Sequence, residues 1–252
     1  MAGVLGLCAL AARGDDPGWR PPFITTPGDV VERMLQLAQA GPGDLVLDLG
    51  SGDGRIVIAA AQKFGARGLG IELDARLVEA SRENARRAKV ADRVAFQEGD
   101  VLVSDISKAS VVTVYLLPAL MGQLQTRFVG ELKPGTRIVS HSFGMAGWKP
   151  DRTETMRIAQ RHPGQGDEST LYLWIVPAEV RGLWQGGGWR LRIEQSYQQI
   201  EIAGATRASL SGTAIEWELK NARFQGRVEG ARMTGELSLP DGKVPLVLTR
   251  SR

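Results

Sequence analysis

The feature that most limits what this 252-residue chain can fold into is residues 47–61, LDLGSGDGRIVIAAA. An apolar run ends at Asp48 and Leu49, glycines follow at positions 50, 52 and 54, and a helix-spaced pattern begins directly after them. Glycine permits a tight turn and a close approach of backbone to ligand, and the helix behind the turn offers free N-terminal amides. The spacing is G-x-G-x-G, not the G-x-G-x-x-G of many dinucleotide folds. A pyrophosphate favours a helix N-terminus without competing acid, yet Asp48 precedes this turn and Asp53 lies inside it. Two carboxylates there suit a ligand end that carries a cationic amine.

The segments around this turn alternate regularly. Apolar residues at helical spacing over 28–40 predict a helix that Gly41-Pro42-Gly43 stops. Strands are predicted at 44–50, 67–73, 93–100, 110–117, 136–143 and 169–177, with helices at 53–64, 75–89 and 118–131, the last opening on Pro118. This alternation predicts a Rossmann-like, doubly wound, mostly parallel sheet over residues 22–177, with its ligand at the carboxyl ends of the strands. From Val180 the grammar changes to short alternating strands such as WRLRIEQ, AIEWELK and RMTGELSLP, separated by Gly, Asn and Asp-Gly turns. Residues 178–252 therefore read as a small antiparallel β meander or partial barrel, with Trp184, Trp189, Trp217 and Tyr197 expected on its inner face.

Composition excludes several classes. One cysteine, Cys8, rules out an intramolecular disulfide and a cysteine-based metal site, and two histidines, His141 and His162, give no basis for a histidine-rich one. The net charge of +3 is too mild to signal a nucleic-acid partner. No uncharged apolar run reaches the length of a membrane-spanning helix. Residues 1–21 begin with MAGVLGLCALAARG, which resembles a signal-peptide core without its basic start. A cytoplasmic enzyme is expected, with export or tethering through this leader as the alternative; nothing in the sequence indicates an oligomeric state.

Two further acids follow successive strands in register with the glycine turn. Glu72, followed by Leu73, ends the second strand, where a carboxylate accepts hydrogen bonds from both hydroxyls of a ribose. Gly99, Asp100 and Val101 follow the third, where an acid can accept from an exocyclic adenine amine with Val101 against the ring. Asp48, Gly50, Ser51, Gly52, Asp53 and Gly54 complete the proposed cofactor set. With VLDLGSGDGR, GIELD and EGD in view, residues 44–117 resemble the class I S-adenosylmethionine-dependent methyltransferases. More narrowly, PFITTPGDVVERML, YLLP and LKPGTRIVSHSFGM extend a resemblance over residues 22–151 to bacterial relatives of the FAM173-type protein lysine methyltransferases. The resemblance implies S-adenosylmethionine as cofactor, adds Thr25 and Thr26, with Pro27, to the cofactor side, and implies an amine acceptor, first a protein lysine.

The acceptor end is less specified. Many amine methyltransferases place an Asn/Asp-Pro-Pro-Tyr/Phe motif after the fourth strand, whereas this chain has Tyr115-Leu-Leu-Pro118. Methylation of DNA bases and of glutamine amides, which rely on that motif, is disfavoured. Tyr115 and Pro118 are expected to border the acceptor pocket, and His141, at the end of the fifth strand, either faces that pocket or fills the space behind it. Tyr115 is also placed against the cofactor, and Trp148 is either a pocket wall or packing. Two alternatives stay open: a small-molecule N- or O-methyltransferase on the same scaffold, and a non-catalytic nucleotide-binding module of the cell envelope.

Overall fold

The computed structural model describes residues 24–159 and 166–251; the leader with Cys8, and His162, lie outside the described residues. The described residues divide into two compact units, one comprising residues up to Glu131 with Arg137–Trp174, the other Leu132–Thr136 with Ile175–Arg252.

The first unit is built as the alternation demands. Its elements are α1 (Gly28–Leu37), β1 (Leu45–Leu49), α2 (Arg55–Phe64), β2 (Arg67–Glu72), α3 (Ala75–Arg87), β3 (Val94–Glu98), β4 (Val111–Val114), α4 (Pro118–Glu131), β5 (Arg137–His141), β6 (Arg152–Arg157) and β7 (Glu168–Ile175). The seven strands form one sheet in the order β3-β2-β1-β4-β5-β7-β6. β1 pairs in parallel with β2 and β4, as do β2 with β3 and β4 with β5, so the order reverses between β1 and β4. In open sheets of this kind the ligand crevice lies outside the carboxyl ends of the strands at that reversal. α1 and α2 bury Val30, Val31, Met34, Leu35, Ile56, Val57 and Ala60 in the core against this sheet.

Two local departures from the sequence reading have physical causes. The helix expected from residue 53 starts at Arg55, because Gly54 takes a left-handed φ of 80° and caps it. An edge strand, β6, was not expected: its residues RTETMR are polar and mostly exposed, and its pairing with β7 holds it in place. Arg33 on α1 grips Glu154 of this edge with two hydrogen bonds of 2.7 and 2.8 Å.

The second unit consists of strands: β8 (Gly182–Gly186), β9 (Trp189–Ser196), β10 (Gln199–Ile202), β11 (Ala205–Ser211), β12 (Ala214–Leu219), β13 (Ala222–Glu229), β14 (Arg232–Leu239) and β15 (Gly242–Arg250). Their order is β10-β9-β8-β15-β14-β13-β12-β11, an eight-stranded sheet whose described pairs are antiparallel. Laid flat, eight strands would span roughly 34 Å between the edges. The edge strands β10 and β11 are nevertheless consecutive, joined through Ala203 and Gly204, a link that reaches about 11 Å at most. The sheet therefore curls into a barrel, and alternate residues fill it: Trp184, Leu191, Ile193, Ile215, Trp217, Phe224, Met233 and Leu248 are at most 1% exposed. Gly226 and Gly235 face each other across β13 and β14 because the Phe224 ring lies against them; a Cβ at either would stand 2.5–2.7 Å from it. Trp189 packs partly buried against this core, but Tyr197 does not belong to it: with φ of 54° it forms the turn between β9 and β10.

Candidate active site

The glycine turn leaves β1 and is pinned to β2 at once. The amides of Gly50 and Ser51 both donate to the Ile71 carbonyl, at 2.9 and 3.0 Å. Gly50, Gly52 and Gly54 all have left-handed φ, of 77°, 53° and 80°. A Cβ on Gly54 would lie 2.6 Å from the Phe96 ring, so the turn is closed to any larger residue there. Glu72 stands at the end of β2 with its carboxylate braced by backbone. Its Oε2 accepts from the Gly52 amide at 2.9 Å, and its Oε1 accepts from Leu73 and Asp74 at 2.9 and 3.0 Å. The carboxylate is thus held in one orientation, with lone pairs left on both oxygens. Two residues that sequence reasoning missed hold the turn from α3: Ser81 Oγ donates to the Gly52 carbonyl at 2.8 Å and Asn84 Nδ2 to that of Asp53 at 2.9 Å. Their signal was present, since Ser81 sits at i+3 from buried Val78 and four before buried Ala85, a polar residue on the apolar stripe of the helix.

The two acids of the turn have different fates. Asp53 is already paired, its carboxylate gripped by Arg55 through contacts of 2.6 to 3.2 Å. Asp53 was expected to meet a cationic amine together with Asp48; the structure shows its carboxylate engaged by the guanidinium two residues on. Asp48 is only 2% exposed and accepts one hydrogen bond, from Thr113 Oγ1 at 2.7 Å. Burial pushes its carboxyl up from 3.8 to about 7; Thr113 opposes the rise, and the charges of Glu72 and Asp53 add to it. A carboxyl held near neutrality in this way ionises when a cation arrives. At the third strand end, Asp100 is exposed and its Oδ1 accepts from the Leu102 amide at 2.8 Å, while Val101 is 9% exposed beside it. Leu73, after Glu72, is 51% exposed, an apolar side chain open to a planar ligand.

The other end of the crevice is aromatic. Tyr115 follows β4, half-buried, with its ring 4.1 Å from that of His141 and 6.2 Å from that of Phe143, nearly parallel to the latter at 19°. His141 is fully buried and cannot touch an acceptor; it backs Tyr115. Burial lowers its imidazole from 6.5 to about 4, so it is neutral at physiological pH. The Tyr115 phenol is raised by burial, an effect its hydrogen bond with Ser142 opposes. Ser142 has a left-handed φ of 67°, and the Phe143 amide donates back to the His141 carbonyl at 2.9 Å. A γ-turn with a left-handed non-glycine residue is costly, and it occurs here at the edge of the crevice. Phe143 was not singled out from sequence. Pro118 is exposed at the start of α4, while Trp148 is 1% exposed, packed on Trp174 and removed from any pocket wall. Thr26 is 4% exposed, with its hydroxyl turned to His141 and its carbonyl accepting from Arg55 Nη1 at 2.8 Å; Thr25, beside it, is half-buried. Thr26 thus touches both the end of β5 and the start of α2. Among the described residues no group of His, Cys, Asp and Glu could hold a metal ion.

A braced carboxylate at the end of β2, an acid and an apolar residue at the end of β3, a glycine turn and a buried carboxyl stand together at the carboxyl ends of the strands. Fold and site together define a class I S-adenosylmethionine-dependent methyltransferase. The model of the ANTKMT methyltransferase domain matches residues 48–152. A protein-lysine N-methyltransferase of Saccharolobus islandicus is 36% identical over 156 residues, 62% of this chain and 93% of that protein. The adenine nucleotide translocase lysine N-methyltransferase of Mus musculus is 36% identical over 51% of this chain, which spans only 56% of its length. A crystal structure of an RNA methyltransferase from Salinibacter ruber, bound to S-adenosyl-L-homocysteine, is 48% identical with a TM-score of 0.56; it covers 62% of this chain and 96% of its own. This chain belongs to the methyltransferase family that these relatives define, and S-adenosylmethionine is its cofactor.

Proposed function

We propose that the protein methylates the ε-amine of lysine side chains in proteins. The observation that carries this reading is the chemistry of the acceptor end: Tyr115 and Phe143 offer an aromatic wall, and the nearby imidazole is buried and neutral. Bound S-adenosylmethionine supplies a methyl group already activated by its sulfonium. The amine lone pair forms the new C–N bond as the C–S bond breaks, and the amine then loses its proton. Such a displacement needs alignment, exclusion of water and a deprotonated amine more than a strong base. The aromatic pair is suited to the apolar stem and cationic head of a lysine. The names of the archaeal and mouse relatives support a lysine acceptor. We place Glu72, Asp48, the glycine turn, Leu73, Asp100 and Val101 on the cofactor, and Tyr115 and Pro118 at the acceptor. We place the reaction in the cytoplasm, where the cofactor is made; among the described residues no helix is long and apolar enough to cross a membrane.

The test is transfer of labelled methyl groups from S-adenosylmethionine to a cell lysate, followed by hydrolysis and amino-acid separation. Label in methyl-lysine is expected. Label confined to small metabolites, or to RNA as the name of the Salinibacter relative would suggest, overturns the lysine reading.

A further inference from the structure

His141 has no access to solvent, yet both ring nitrogens meet hydroxyls from distant parts of the chain. Nε2 lies 2.8 Å from Ser169 Oγ on β7, and Nδ1 lies 3.4 Å from Thr26 Oγ1 in the segment before α1. Both hydroxyl residues are buried, at 2% and 4% exposure. The connection continues on the far side of Thr26: its carbonyl accepts from Arg55 Nη1 at 2.8 Å, Arg55 grips Asp53, and the Asp53 carbonyl accepts from Asn84 at 2.9 Å. Polar contacts joined through the bodies of Thr26 and Asp53 thus link β7, through the imidazole, to the glycine turn. A neutral imidazole carries one N–H and one lone pair, and a hydroxyl can meet either, so the ring serves as a spacer with two bonding ends. Proton transfer to an acceptor is closed to it, since the Tyr115 ring at 4.1 Å covers it and no surface reaches solvent.

We propose that His141 is a positioning residue which, with Ser169, clamps Thr26 and thereby holds the segment before β1 against the glycine turn, setting cofactor affinity. The proposal rests on the methyltransferase reading of the crevice but not on a lysine acceptor. It separates the two ends of the ring. An asparagine at 141 keeps a polar atom near the Nδ1 position, facing Thr26, whereas a glutamine keeps one near Nε2, facing Ser169.

The experiment measures S-adenosyl-L-homocysteine binding by calorimetry, together with thermal melting, for the full chain and for Thr26→Val, His141→Asn, His141→Gln and the Thr26→Val/His141→Gln double variant. Thr26→Val and His141→Gln should each weaken binding by up to about tenfold, the loss of one hydrogen bond. His141→Asn should bind more tightly than His141→Gln, and the double variant should be no weaker than the worse single one, because both break the same link. A purely packing role lowers the melting temperature and leaves the dissociation constant at the wild-type value; that result overturns the proposal. Equal binding by the Asn and Gln variants overturns it too. Failure of the wild type to bind the ligand overturns the cofactor site itself, whereas tight binding without lysine methylation overturns only the acceptor assignment and leaves the clamp standing.

Discussion

Asp48→Asn should make the protein more stable and a poorer binder of its cofactor. The Asp48 carboxyl is buried with one hydrogen bond, from Thr113 at 2.7 Å, and in the folded protein it keeps its proton up to about 7 against 3.8 for a free carboxyl. Between those values the folded state holds a proton that the unfolded state has released, so stability falls as pH rises. A tenfold change in proton affinity is worth about 1.4 kcal/mol. Relative to a permanently neutral group, Asp48 therefore lowers stability by about 4 kcal/mol at pH 8, where both states are ionised, and by about 2 kcal/mol at pH 5, where only the unfolded chain has released the proton. Asparagine can accept the same bond from Thr113 and carries no charge, so it resembles the protonated acid. Scanning calorimetry without cofactor should find the variant's melting temperature raised by roughly 10 °C at pH 8. Its advantage should be roughly halved at pH 5. Cofactor affinity should drop, because Arg55 already occupies Asp53 and Asp48 is the turn's carboxylate left to meet a cationic amine. A variant no more stable than wild type at pH 8, or a gap independent of pH, refutes the argument.

Glu72→Ala should abolish calorimetric binding of S-adenosylmethionine, since it removes the ribose acceptor and the brace on the Gly52 amide; retained affinity would refute the ribose assignment. Gly235→Ala should destabilise the barrel by about 2 kcal/mol or more, because its Cβ would stand 2.2 Å from the Gln225 carbonyl oxygen and 2.7 Å from the Phe224 ring; an unchanged denaturant midpoint for the barrel would contradict the packing described. Trp217→Phe should be nearly neutral by the same measurement, because the Trp217 indole N–H is buried without a hydrogen-bond partner among the described residues and its removal offsets the lost volume. Trp217→Ala should cost about 3–5 kcal/mol.

The site's cofactor half was legible because its residues lie at strand ends in a local pattern: the glycine turn, Glu72 and Asp100 can be placed as soon as the strands are counted. The neutralisation of Asp53 was also within reach, since Arg55 stands two residues away. The acceptor half was not. Phe143 lies within LKPGTRIVSHSFGM, but that stretch does not say which of its side chains turn to the crevice, and Ser169 carries no motif; the γ-turn at Ser142 and the pairing of β7 in the sheet bring them to Tyr115 and His141. Strands β6 and β11 escaped for a related reason: RTETMR and ATRASLS offer no clear apolar alternation, and each exists because a neighbour supplies its hydrogen bonds. Closure of the barrel appears only when strand order is known, because no single strand encodes that β10 and β11 are the edges.

Asp48 and His141 pull stability in opposite directions between pH 5 and 8. The His141 imidazole takes up its proton only near 4 in the folded protein, against 6.5 when free. The unfolded chain therefore binds the extra proton between those values, and stability is lost as pH falls. At pH 5 this amounts to about 2 kcal/mol, and at pH 8 to nothing. Asp48 contributes a loss of similar size in the other direction between pH 5 and 8. The wild type should accordingly look almost insensitive to pH in that range, to within about 1 kcal/mol. Single variants uncover the opposing slopes: Asp48→Asn should gain stability as pH rises from 5 to 8, and His141→Gln should lose it. Chemical denaturation at both pH values decides the matter. Parallel pH profiles for the two variants would mean that neither buried group titrates as its surroundings require.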